Sequence, residues 1–198
     1  MKQLDVHYTA ANSISLLYWF KRLFQLFILF CFILNHQVAE SKTPNRFKIN
    51  KVVASSTVDG IDTISNFKLS LSSMTFDAIN QGIPIDIVLS YAEPKRLFWG
   101  IRYKQLDKTM FRISRHSLSG NYVLQNRSSF KNFQFQTIDD ALKQIALFQL
   151  KRINRQNLSE IAVRIHLDLY ALPPQIRAKA FFSGRWRHDS KWTIWPVS

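Results

Sequence analysis

Between residues 161 and 169 the chain alternates without a break. Ile161, Val163, Ile165, Leu167 and Leu169 are apolar, and Ala162, Arg164, His166, Asp168 and Tyr170 take the other phase. A period of two places the two sets on opposite faces of a β-strand, so this stretch needs a core on one side. The same period recurs upstream. Phe67, Leu69 and Leu71 alternate with Lys68, Ser70 and Ser72, and Ile83, Ile85, Ile87, Leu89 and Tyr91 with Pro84, Asp86 and Ser90. Trp99, Ile101 and Tyr103 share one face, with Arg102 and Lys104 opposite. Asp59-Gly60 is a hairpin signal between extended segments, and Glu93-Pro94-Lys95 reads as a turn. Ser117 to Asn121 links two further short strands, around Phe111 and Tyr122.

Two stretches break the alternation and read as helices. The first runs from Ser73 toward Gly82, with Met74, Ala78 and Ile79 on one side and Gly82 as its stop. The second starts at Thr137-Ile138-Asp139-Asp140, carries Ile138, Ala141, Leu142, Ile145 and Phe148 at helical spacing, and ends at Lys151-Arg152. The expected fold is therefore mostly β within the α+β class. It is an antiparallel sheet or sandwich, with one short and one longer amphipathic helix packed on it and an N-terminal apolar helix in front.

That N-terminal element is the apolar run from Leu23 to Leu34, broken only by Gln25 and preceded by Lys21 and Arg22. Twelve residues suit the core of a secretory signal better than a free-standing span, which needs about 20. The two cations belong at the cytoplasmic interface, which leaves the downstream chain outside the inner membrane. Cleavage after Ser41 would place Ala39 at the minus-three position, and both a cut signal and a retained anchor remain open. The expected organisation is a signal or anchor over 1–41 and a periplasmic β-rich domain over 42–198.

The domain has no cysteine, because Cys31 lies inside the apolar run. Disulfide scaffolds, thiol enzymes and thiolate metal sites are thereby excluded. From Lys42 onward 24 Lys and Arg stand against 11 Asp and Glu. Such an excess favours anionic surfaces, and outside the cytoplasm envelope components outrank nucleic acid.

The last thirty residues are more specific. Leu167-Asp168 ends a strand, Leu172-Pro173-Pro174 stops it, and an apolar strand follows. Trp186, Ser190, Trp192 and Trp195 close the chain, and Gly82-Ile83-Pro84 precedes a strand earlier on. This pattern, over about residues 47 to 195, resembles the bacterial envelope family catalogued as domain of unknown function 4390. His188 departs from it, since members often carry an apolar residue there. The family has no established activity. The resemblance implies an exported envelope protein, and some members are encoded near a two-component sensor kinase, which points to envelope signalling.

Read from the residues, Trp186, Trp192 and Trp195 either close the core or form an exposed aromatic platform. With His166 and Asp168, which share a strand face, they make the candidate binding surface. His166 and Asp168 also offer two ligands of a metal site, but nothing marks a third. His188-Asp189-Ser190 contains the letters of a triad, although adjacent residues rarely converge. No nucleophile elbow, phosphate loop or dinucleotide fingerprint is present. The expectation is a non-catalytic interaction module without cofactor. It would be tethered to or secreted across the inner membrane, with an envelope protein or anionic envelope component as partner. An envelope hydrolase using His166, Asp168 or His188 is the alternative, and a basic nucleic-acid-binding protein the third.

Overall fold

The computed structural model describes residues 21–25, 47–147 and 150–198. Lys21, Arg22 and Leu23 fall in an exposed helical stretch, 21–25, while Leu34, the cleavage region and Phe148 lie outside the described residues. No described helix is long and apolar enough to cross a membrane.

From Phe47 the alternating segments form two antiparallel sheets. One contains β1 (Phe47–Thr57), β2 (Gly60–Leu69) and β7 (Leu150–Ile153), in the order β1-β2-β7. The other contains β3 (Ile85–Leu97), β4 (Gly100–Arg115), β5 (Tyr122–Asn126), β6 (Lys131–Phe135), β8 (Glu160–Leu167) and β9 (Thr193–Pro196). Its order is β6-β5-β4-β3-β8-β9. Their facing sides share one core, with Phe47, Ile61 and Phe67 from the smaller sheet and Ile87, Leu89, Ile113 and Ile165 from the larger. The chain end stitches the sheets together: past β9, the Ser56 amide donates to Ser198 O at 2.7 Å and the Ser198 amide to Ala54 O at 3.0 Å.

Helices cover what the sheets leave open. Helix α1 (Ser73–Asn80) starts where Ser72 Oγ accepts from the Thr75 amide, and α2 (Ile138–Ala146) where Thr137 accepts from the Asp140 amide. Asp139 and Asp140 suit the positive end of the α2 dipole. The apolar stripe Ile138, Ala141, Leu142 and Ile145 is buried, as its spacing predicts.

Three readings are corrected. Glu93-Pro94-Lys95 is not a turn: β3 runs through it to Leu97, and the reversal is at Phe98-Trp99. Beyond Ala92 the strand has β4 alone as neighbour, so Pro94 sits on an open edge, where its missing amide is tolerated. Lys151-Arg152 does not end α2; the helix stops at Ala146 and these residues form β7. There Arg152 faces Asp62 across the ladder and holds its carboxylate at 2.7 and 2.9 Å, a tertiary pairing that overrides helical periodicity. The apolar stretch after Pro173 is a helix, α3 (Pro174–Phe182), because Pro174 opens its first turn and residues of good helix propensity follow. The short edge strand β6 had no distinct sequence signal.

Candidate functional site

The larger sheet presents its second face away from the core, and β8 supplies the middle of it. In register, His166 lies beside Val88 and Arg164 beside Ser90. The long side chains on this face cover the centre of the sheet so well that Asp86, Val88, Ser90 and Ala92 of β3 are buried although they point away from the core. Asp86 is 2% exposed and meets Arg112 through two bonds of 2.7 and 2.8 Å, with Arg127 at 3.5 Å. Two aligned bonds between opposite charges make the burial of this carboxylate tolerable.

A second bidentate pair lies nearby. Arg164 holds Asp189 at 2.9 and 2.8 Å, and the Lys191 amide donates to the same carboxylate at 2.8 Å. Burial works to raise the Asp189 pKa, yet the Arg164 hydrogen bond, the Lys191 amide and the surrounding positive charge bring it below the ordinary value. Arg164 also lies 6.0 Å from the centre of the Trp192 ring, which stacks on Tyr103 at 4.8 Å. His166 completes this group. Its Nδ1 is buried with no hydrogen-bond partner among the described residues. Burial first, then Arg164, lowers its pKa against the opposing pull of Asp189 and Asp168.

This shift has a testable consequence. A histidine with a depressed folded-state pKa contributes stability that is present above its unfolded value, 6.5, and lost as pH falls through the folded value. His166→Gln is therefore expected to flatten the loss of thermal stability below pH 6.5. Melting curves from pH 7.5 to 5 check it, and parallel slopes for variant and parent would refute it.

The nominated residues do not share one surface. Trp186 is 3% exposed and belongs to the core, so it is no part of a platform; its Nε1 finds no partner among the described residues. Trp195 packs against the core from the inner face of β9 and donates to Thr193 Oγ1 at 2.9 Å. Only Trp192 and His166 remain on the outer face. The Asp168 carboxylate accepts from the Tyr170 amide and caps a one-turn helix at Leu169–Ala171. The triad letters disperse as well. His188 is buried, Asp189 serves Arg164, and Ser190 Oγ accepts from the Ile165 amide and donates to Lys191 O. No group of three His, Cys, Asp or Glu suited to a metal occurs among the described residues.

The sequence reading missed the most exposed feature. Beyond the Ala92–Ala162 pair, β3 and β4 continue as a ribbon of two strands paired to each other alone. Its tip carries Phe98 and Trp99, which are 103% and 83% exposed, between half-exposed Leu97 and Ile101. Lys95, Arg96, Arg102 and Lys104 are exposed along its sides. The signal was an apolar patch, 97–101, with cations on both flanks, hidden by the misplaced turn.

The described residues thus define a mostly β domain of two antiparallel sheets and a few helices. The chain belongs to the family described as "Domain of unknown function (DUF4390)", whose family model matches residues 45–196. No curated protein and no solved structure matches it.

Proposed function

We propose that this chain is a non-catalytic interaction module of the bacterial envelope, exported through its N-terminal segment. Its working surface is the β3–β4 arm, which engages an anionic bilayer surface. The observation that carries this reading is the tip itself. Phe98 and Trp99 leave almost their whole surface in water at the end of a ribbon that adds nothing to the core. Exposed aromatics of that size mark a contact surface, and Trp favours the zone between head groups and acyl chains. Arg102 and Lys104 attract anionic head groups, each worth about 1 kcal/mol near a charged membrane, whereas Arg96 is held by Glu160 and Lys95 lies near Glu93. Export is supported by the apolar run behind Lys21 and Arg22 and by a domain without cysteine. The non-catalytic reading is supported by the separate engagements of His188, bonded to Ser72 and Trp186 in the core, and of Asp168, which caps the Leu169–Ala171 turn.

Fractionation and vesicle sedimentation test both halves. The chain is expected in the envelope fraction, and the purified protein on vesicles rich in phosphatidylglycerol rather than phosphatidylcholine. Phe98→Ser with Trp99→Ser should weaken vesicle binding about tenfold or more, since burying each side chain is worth about 1.5–3 kcal/mol. A chain found in the cytoplasm, or a double variant that binds like the parent, would overturn the reading. A sensor protein captured by cross-linking through the arm would replace the lipid with a protein partner.

A further inference from the structure

The two sheets do not close on each other everywhere. Between the inner face of β4, β5 and β6 and the cover formed by α2 and β7 lies an open cavity of about 400 Å³. That is within the range of small-molecule sites, roughly 300–1,000 Å³. Its walls are uneven in chemistry. Phe111, Leu124 and Phe133 give an apolar side, whereas Lys131 and Gln144 stand exposed at the rim. Lys151 also lines it, but its ammonium is matched by Asp107 at 3.0 Å. Lys131 forms no ion pair among the described residues.

A second observation falls on the same wall. Thr109 lines the cavity, is 1% exposed, and its Oγ1 has no hydrogen-bond partner among the described residues. Leaving a buried hydroxyl unsatisfied costs about 1–3 kcal/mol, and valine has the same shape without that cost. A hydroxyl kept at such a point, beside room for a guest, is an unused handle.

We propose that this cavity binds a small amphipathic anion. Its apolar body lies on Phe111, Leu124 and Phe133, a polar atom on it meets Thr109 Oγ1, and its charged group stays at the rim beside Lys131. This site is separate from the arm and stands whether or not the arm touches lipid.

The test uses the full chain and the fluorescent anion 8-anilinonaphthalene-1-sulfonate, with neutral N-phenyl-1-naphthylamine for comparison. Saturable one-site binding of the anion is expected, with displacement by decanoate more readily than by decanol. Thr109→Val should weaken it about three- to tenfold, the worth of one hydrogen bond, without lowering the melting temperature of the free protein. Lys131→Glu should weaken the anion and spare the neutral probe. Gln144→Trp, on an exposed helical position, should block the cavity and abolish binding of both. Binding that survives Gln144→Trp places the probe elsewhere, for example on the arm tip, and overturns the proposal. So does equal affinity for parent and Thr109→Val, which would leave only water on the hydroxyl, or the absence of saturable binding.

Discussion

His188→Ala is expected to destabilise the domain by about 4 kcal/mol, read as a fall of roughly 10 °C in melting temperature. His188 is 1% exposed and holds three parts of the chain at once. The Ser72 amide donates to its Nε2 at 2.9 Å. That nitrogen must therefore offer a lone pair, which leaves the ring proton on Nδ1, donated to Trp186 O at 3.0 Å. Its ring packs against Phe47 at 5.3 Å, and its own carbonyl accepts from the Leu167 amide. Ser72 is in turn the cap of α1, so the imidazole fixes the residue that starts that helix. Truncation leaves the buried Ser72 amide without its acceptor, takes from Trp186 O one of its two donors (the His188 amide stays), and opens a void beside Phe47. His188→Gln, whose amide can replace one of the two bonds, should recover part of the loss. If His188→Ala melted within 2 °C of the parent, the pinning role would be wrong.

The place of His188 also shows what the sequence could and could not disclose. Alternation announced β8, and the Gly82 stop and the Thr137 start announced α1 and α2, because each signal is local and needs only its own neighbours. His188 sat beside Asp189 and Ser190 and invited a catalytic reading, yet its partner Ser72 is 116 residues away. The Arg164–Asp189 pair likewise joins residues 25 apart with no fixed spacing. Trp186 and Trp192 looked alike in the sequence; the fold sends one into the core and the other onto Tyr103. The arm was missed for a different reason. Proline usually ends pairing, and at Pro94 only the knowledge that the pairing of β3 with β8 stops at Ala92–Ala162 shows that the edge is free. The cavity beside Thr109 depends on five separate elements, and none of them carries a mark of it alone.

Gly60→Ala should have an effect of similar size, and Gly100→Ala supplies its control. Both glycines close two-residue hairpin turns, Val58-Asp59 and Phe98-Trp99, and both have φ in a region that L-residues rarely adopt, +142° and +144°. The backbone strain of a side chain is thus common to the two, about 1–3 kcal/mol. Their surroundings differ. A Cβ on Gly100 would meet nothing within 4 Å, since the arm tip stands in water, whereas a Cβ on Gly60 would lie 2.2 Å from the carbonyl oxygen of Ile153. That oxygen belongs to the backbone of β7, and Ile153 is a core residue paired in register with Ile61. It cannot swing aside as a side-chain tip could, so β7 must shift away from β2 or the hairpin must open. Either movement disturbs a ladder of four residue pairs among the described residues. Chemical denaturation should therefore show Gly60→Ala losing about 2 kcal/mol more than Gly100→Ala. Equal losses for the two variants would mean that strain alone governs these turns and that the contact with β7 carries no weight.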